Sequence, residues 1–500
     1  MKDGTLLAAV DMGSNSFRLE IGQLLHGQIQ RVDYLKETVR QGSGLDKDRN
    51  LTPQAMERGL QCLARFAERL AGFKPAQVRA VATQTLREAR NREEFLEQAQ
   101  SVLGFPIEVI AGREEARLIY QGVSRLLPQS AQKRLVVDIG GRSTELILGQ
   151  GLDAQLTESY RLGCVAWSLR YFPEGGFTSK QFHAAQIAAK ALLDDAAESF
   201  KAQGWDVAYG SSGTIGAVAE VLSVNGQGNT VTPKGLAWLR DQLIQGQNAD
   251  KIQINGLKED RRPVIGGGLS ILAAVFDLLN ITELHPARGA LRHGVLYELL
   301  DREDNQEDIR TLTVQRLAAQ FQVDTTQAQR VAGVAAKLFD VIAAPEQKTE
   351  RSARKLRWAA LVHEIGRQIS HSDYHKHGAY ILDNADAMGF SQPELHRLSL
   401  LVLGHKGRLR KLDTALSDAV FAAQLLSLRL AVILCHARRA PHLEGFSVRR
   451  RYDHIYLAAT PAWVNEFPQS VHLLSQEVSA WEKLQSPLGV SWRNELDSVF

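Results

Sequence analysis

The stretch Asp11-Met12-Gly13-Ser14-Asn15-Ser16-Phe17-Arg18-Leu19-Glu20-Ile21-Gly22-Gln23 returns as Asp138-Ile139-Gly140-Gly141-Arg142-Ser143-Thr144-Glu145-Leu146-Ile147-Leu148-Gly149-Gln150. Six of the thirteen positions are identical, the acid among them. Each copy follows a short apolar run, Leu6 to Val10 and Leu135 to Val137, and each resumes as an apolar stretch. The unit therefore reads strand, tight Gly/Ser turn, strand. Ordinary hairpins have no need of an acid in the same place twice. Two such turns face to face suit an oligophosphate. Backbone N–H groups and hydroxyls of Gly13, Ser14, Asn15, Ser16 and of Gly140, Gly141, Ser143, Thr144 would hold the phosphates, and the acids a metal.

Around the first copy, βα alternation is expected. Thr52 and Pro53 open a helix to about Ala71, with Thr52 as N-cap. A strand over Val78 to Thr83, a helix over Asn91 to Leu103, a strand over Ile107 to Ile110 and a helix over Arg113 to Leu127 follow. The second copy repeats the plan to about Leu300. It adds a strand, Val207 to Tyr209, that runs into Gly210-Ser211-Ser212-Gly213-Thr214, and a Gly266-Gly267-Gly268 element ahead of a helix over Leu269 to Leu279. Such alternation predicts α/β domains, and their duplication predicts a cleft between the copies. The acidic run from Asp301 to Asp308 reads as a linker or an acidic helix start. Beyond it the pattern is helical, and short strand-like runs begin near His454. The expected organisation is 1–124, 125–303, a helical 304–453 and a small subdomain over 454–500.

Bulk properties exclude little. The chain has 500 residues, 44% apolar and 23% charged, with a net charge of +3. Ten Lys/Arg against four Asp/Glu lie between Leu401 and Thr460, which reads as a solvated face or as attraction for a polyanion. Three scattered cysteines form no CxxC pair and fit a reducing cytoplasm. The apolar run before Asp11 is too short for a signal peptide. No apolar stretch approaches eighteen residues, so no membrane span is expected.

Glu145 lies seven residues after Asp138, across the turn, where two acids of a hairpin face one space and suit Mg²⁺. Ser211, Ser212, Gly213 and Thr214 form a third small-residue turn. Arg87, at a strand end, reads as a phosphate fork or as a solvated helix-start residue. Glu114 and Glu115 open a helix, where acids are expected from the helix dipole alone. The absence of a Walker-type Gly-Lys-Ser/Thr loop disfavours that ATPase class.

At these residues the chain resembles the exopolyphosphatase / guanosine pentaphosphate phosphohydrolase (Ppx/GppA) family, most closely a bacterial exopolyphosphatase. The DxGSNS turn, the TLRxAxN segment, the GxEEARLIYxGV helix, the VDIGGxSTEL turn, the GSSGTI turn and the GLxxxRxxVxxGGLxIL run occur in order. The resemblance implies duplicated RNase H-like domains of the actin, sugar kinase and heat-shock ATPase superfamily, with an interdomain cleft and an α-helical HD-like C-terminal region. It implies Glu115 as catalytic base, Asp138, Glu145 and Asp11 as metal ligands, Arg87 as a phosphate clamp and Arg261 near the outer site. It implies a Mg²⁺-dependent (or other divalent) cytoplasmic hydrolase, peripheral at most at the inner face of the membrane. No organic cofactor, no nucleic-acid partner and a homodimer are expected. The substrate is inorganic polyphosphate, with guanosine pentaphosphate (pppGpp) as runner-up. An actin-like kinase or a non-catalytic alarmone or polyphosphate sensor would be a different class. Phosphoryl transfer needs mainly positioning and charge neutralisation, which these residue types supply.

Two departures stand out. Arg142 occupies a position usually Gly or Ala in the family; an outward, solvated side chain is favoured over a cation beside the phosphates. In the helical region an HD metal site needs a His-Asp pair, and this chain has His363-Glu364. A degenerate, metal-free domain is expected. Its basic residues Lys406, Arg408, Arg410 and Lys411 would guide a long polyphosphate.

Overall fold

The computed structural model describes residues 2–25, 28–128, 130–301, 309–385, 387–484 and 486–493. The chain divides into two units, Met1–Asp308 and Ile309–Phe500. The linker expected over 301–308 falls, beyond residue 301, outside the described residues.

The first unit contains two five-stranded sheets of one plan. In the first, β1 (Leu6–Met12), β2 (Phe17–Leu25), β3 (Gln28–Glu37), β4 (Val78–Ala82) and β5 (Ile107–Val109) take the order β3-β2-β1-β4-β5. In the second, β6 (Lys133–Ile139), β7 (Thr144–Gln150), β8 (Asp153–Tyr160), β9 (Val207–Ser211) and β10 (His285–Pro286) take the equivalent order. In each, the hairpin strands pair antiparallel, while β4 and β9 run parallel to β1 and β6. The expected α/β duplication is therefore present, as mixed sheets. The third strands β3 and β8 carry no apolar run, which hides them in the sequence.

β1 is buried on both faces. Ala8 and Val10 enter a core with the helices Pro53–Arg69 and Arg92–Leu103. Leu7 and Ala9 enter another with the helices Gly112–Arg125 and Leu291–Asp301. Val136 and Ile147 of the second sheet join that same core, so alternation along the strands places these two helices in a core shared by the halves. Thr52 caps its helix as expected, accepting from the Ala55 N–H at 3.4 Å.

One expectation is corrected. Gly266, Gly267 and Gly268 do not precede a helix but lie inside Ile265–Leu279. A Cβ on Gly267 would stand 2.6 Å from the Cys164 carbonyl and the Ser168 nitrogen, so the run is a packing surface for the helix Cys164–Tyr171. Glu259–Leu279 forms a 21-residue helical segment apolar enough by composition to cross a bilayer, and its apolar window is 67% buried in the protein.

In the second unit, the helices Ile309–Gln320, Thr325–Ile342, Glu350–Val362, Tyr374–Asn384, Gln392–Gly404 and Ala419–Leu434 precede β11 (Phe446–Arg451), β12 (His454–Ala459) and β13 (Gly489–Arg493). The boundary expected at 454 falls inside the β11–β12 hairpin, and Ile455, Leu457 and Trp463 share one core with the helices. His363 Nδ1 donates to the Ala360 carbonyl, and Arg438 and Arg367 hold the Glu364 carboxylate at 2.8 and 3.2 Å.

Candidate functional site

The register of the hairpins sets the site. Asp11 is paired with Arg18 across β1–β2, and Asp138 with Glu145 across β6–β7. Both acids stand one residue before the strand end. The Gly140 N–H donates to the Ser143 carbonyl at 2.9 Å and closes the second turn. The turns nearly touch: a Cβ on Gly141 would lie 3.2 Å from Ser14 Cβ and 3.4 Å from the Asn15 nitrogen.

The third turn is the junction between β9 and the helix Ser212–Val224. Ser212 has φ +88°, a left-handed conformation unusual for a residue with a side chain. Its Oγ accepts from the Thr214 and Ile215 N–H groups at 3.3 and 3.4 Å. A Cβ on Gly213 would meet the Arg261 guanidinium at 2.3 Å, so Arg261 lies directly on this turn.

The three turns enclose a cavity of about 300 Å³. Gly13, Ser14, Asn15, Ser16, Gly140, Gly141, Ser143, Ser212, Gly213 and Thr214 line it, together with Asp11, Asp138, Glu115 and Arg261. Four residues expected at the site stand behind that lining. Thr144 Oγ1 donates to the Leu162 carbonyl at 2.6 Å, and Ser211 Oγ to the Gly289 carbonyl at 3.0 Å. Glu145 accepts from Ser159 Oγ at 2.9 Å. Arg87 is part-buried and ion-paired rather than solvated, with Nη1 2.8 Å from Glu115 Oε2. Lys406 and Arg408 belong to the second unit. With Lys411, Asp373 and His375 they line a separate depression of about 360 Å³.

Arg142 is corrected. Its side chain does not extend into solvent. It crosses to the first half, where Nη2 lies 2.6 Å from Glu88 Oε2 and Nη1 2.9 Å from the Gly42 carbonyl.

Sequence reading missed Arg18, Tyr34, Lys36, Cys164, Arg288 and Arg292, all of which line the cavity. Arg18 had a legible signal, because aligning the two motifs sets it against Glu145. Lys36 lies on the polar strand β3, and Arg288 and Arg292 follow the two-residue strand β10, where no periodicity marks them.

Asp138, Glu145 and Glu115 interact in one buried environment. Burial pushes Asp138 up to about 7, against the opposing effect of Ser211, and Glu115 adds to the rise. Burial, then Glu115 and Asp138, holds Glu145 well above the ordinary range. Burial also raises Glu115, although Arg87 opposes it. Asp11 Oδ1 is buried with no hydrogen-bond partner. Among the described residues no three His, Cys, Asp or Glu side chains converge into a ready metal cage. Mg²⁺ commonly takes one or two carboxylates and completes its shell with water and phosphate oxygens. The raised acids Asp138 and Glu145, with the unpartnered Asp11 Oδ1, fit that donor demand.

The model of the Ppx/GppA phosphatase family matches residues 21–303, and that of Ppx/GppA phosphatase domain III matches residues 309–478. Among solved structures, a Ppx/GppA family member from Aquifex aeolicus is 25% identical, with a TM-score of 0.52 over 61% of this chain and 99% of its own. Another structure of the Aquifex aeolicus PPX-GPPA enzyme is 26% identical, with a TM-score of 0.50 over 59% of this chain and 99% of its own. An exopolyphosphatase from Cytophaga hutchinsonii shares the fold at 23% identity and a TM-score of 0.55, over 59% of this chain and 98% of its own.

Proposed function

The chain belongs to the Ppx/GppA phosphatase family, and on that premise we propose that its cleft hydrolyses phosphoanhydrides, removing the terminal phosphate of inorganic polyphosphate. The observation that carries this reading is one polar cavity in which three small-residue turns, Glu115 and the cations Arg18, Lys36, Arg261, Arg288 and Arg292 meet. Tyr34 is the one aromatic ring among its described lining residues, and the guanidinium groups of Arg31 and Arg292 lie 5.2 Å from its centroid. A ring engaged in this way favours a bare phosphate chain over a nucleobase.

The turns and cations bind the chain end and spread its negative charge. Glu115 orients a water molecule toward the terminal phosphorus. As the water oxygen bonds to phosphorus, Glu115 takes its proton. The bond from that phosphorus to the bridging oxygen breaks, and its electron pair leaves with the shortened chain. Orthophosphate is the product. Burial keeps the Glu115 carboxyl above its ordinary range, closer to the neutral working range of a general base. Arg87 holds the carboxylate in place. One or two of the acids Asp11, Asp138 and Glu145 would hold Mg²⁺ or another divalent ion, with water and phosphate oxygens completing its shell, and the ion when bound neutralises phosphate charge.

The test is phosphate release with Mg²⁺ from long-chain polyphosphate and from pppGpp, beside Glu115→Ala. Release from polyphosphate that falls by roughly 10²–10⁴ in the variant supports the reading. Release from the nucleotide alone makes pppGpp the substrate. Undiminished activity of the variant removes Glu115 from the chemistry.

A further inference from the structure

Arg142 begins an unbroken chain of side-chain hydrogen bonds that ends on Glu115. Its Nη2 donates to Glu88 Oε2 at 2.6 Å. Gln84 Nε2 donates to Glu88 Oε1 at 2.6 Å. Arg87 Nη2 and Nε donate to Gln84 Oε1 at 2.7 and 3.0 Å. Arg87 Nη1 then donates to Glu115 Oε2 at 2.8 Å. Two ion pairs are thus joined through one amide. Arg142 stands in the turn of the second half; the other four residues belong to the first.

The same side chain measures the gap between the phosphate turns. Arg142 Nη1 donates to the Gly42 carbonyl, and the Gly42 N–H donates to the Ser14 carbonyl at 2.7 Å. A Cβ on Gly42 would lie 2.8 Å from Arg142 Cδ and 3.1 Å from Ser14 Cβ. One guanidinium therefore spans from the second turn to the support of the first turn and to the anchor of the base.

We infer that Arg142 is a positioning residue: it holds the two phosphate turns at one separation and, through Glu88, Gln84 and Arg87, fixes the orientation of Glu115. This rests on the reading of Glu115 as the base. Each link is charge-assisted or held in a part-buried site, where such bonds are short and directional. Without the Arg142 side chain, Glu88 loses its partner across the halves, and Gln84 and Arg87 lose the charge that restrains them. Arg142 thereby keeps the base and the phosphate turns in register with each other. Arg142 does not line the cavity, so its effect falls on turnover more than on binding.

The experiment measures kcat, KM and the pH profile of kcat for polyphosphate hydrolysis in Arg142→Ala, Arg142→Lys, Glu88→Gln, Arg142→Ala/Glu88→Gln and Glu115→Gln, with Tm recorded for each. Expected is a kcat loss of about 10-fold in Arg142→Ala with KM within about 2-fold, a displaced acidic limb, partial rescue by Arg142→Lys, and a double variant no worse than the worse single one. A change confined to KM, additive losses, or wild-type kinetics in Arg142→Ala overturns the inference. If Arg142→Ala does not fold, wild-type kinetics in Glu88→Gln overturns it equally. Wild-type kcat in Glu115→Gln instead overturns the underlying base assignment.

Discussion

Arg18 faces Asp11 across the first hairpin, with Nη1 3.1 Å from Asp11 Oδ2, at the register position where Glu145 faces Asp138 across the second. Duplication kept the backbone and reversed one charge. The first turn thus carries a matched ion pair, while the second carries two acids that burial pushes upward. Divalent-ion affinity should follow this asymmetry. Asp138→Asn is expected to raise the half-saturating Mg²⁺ concentration and lower kcat/KM by about 100-fold or more, with Asp11→Asn weaker in both. Mg²⁺ titration of phosphate release checks it.

The same acids set a pH dependence of stability in metal-free protein. The folded-state value for Asp138 is about 7, against an ordinary 3.8. Between those limits the folded Asp138 carboxyl keeps a proton that the unfolded one has lost, so its contribution to stability falls as pH rises from about 4 to about 7 and is level above. Buried His293, His363 and His405, held low by burial, act with the opposite sign in wild type and variant alike, so the comparison isolates Asp138: in EDTA the Tm of Asp138→Asn should gain on that of the wild type between about pH 5 and about pH 8. Mg²⁺ should raise the wild-type Tm most at the higher pH. A Tm difference between variant and wild type that does not grow over this interval would contradict the carboxyl burial described for the cleft.

Gly213 and Arg261 offer a test of binding without a test of folding. A Cβ at Gly213 would meet only the end of the Arg261 side chain, which can move aside. Gly213→Ala should keep its Tm but raise KM for polyphosphate. Arg261→Ala should do the same, and the double variant should be no worse than either, because both remove one contact. Additive KM effects would place Arg261 elsewhere in the bound complex.

The legible parts of this molecule were those that leave a repeat or a period in the chain. The doubled Asp-x-Gly turn exposed the two halves, and Thr52-Pro53 marked a helix start that the structure holds. Strands β3 and β8 were silent, since one face of each is wet and neither carries an apolar run. The glycines at 266–268 read as an element ahead of the helix because glycine weakens a helix; close helix packing, which sequence alone does not display, overrides that preference. Arg142 read as solvated because its acceptors, Glu88 and the Gly42 carbonyl, are 54 and 100 residues away. Arg288 enters the cavity from the loop after β10 and Arg292 from the first turn of the helix Leu291–Asp301, and no apolar period marks either.

The helix Gly112–Arg125 carries Glu115 in its first turn, and its position depends on contact with Leu291–Asp301. A Cβ on Gly294 would stand 1.9 Å from the Leu118 carbonyl oxygen, and one on Gly122 would stand 2.3 Å from the Ala290 carbonyl. These neighbours are backbone and cannot rotate away. Gly294→Ala must therefore push the helices apart, at a cost of about 1–3 kcal/mol, and should lower Tm by a few degrees for a protein of this size. Because the displaced helix bears Glu115, kcat should fall with it. Gly333 lies in the helix Thr325–Ile342 with nothing within 4 Å of its would-be Cβ. Gly333→Ala should leave activity alone and raise stability by about 0.5–1 kcal/mol. Calorimetry and initial rates on the two variants check the pair. Equal Tm values for Gly294→Ala and wild type would mean that the two helices are not in the close contact that holds Glu115 at the cleft.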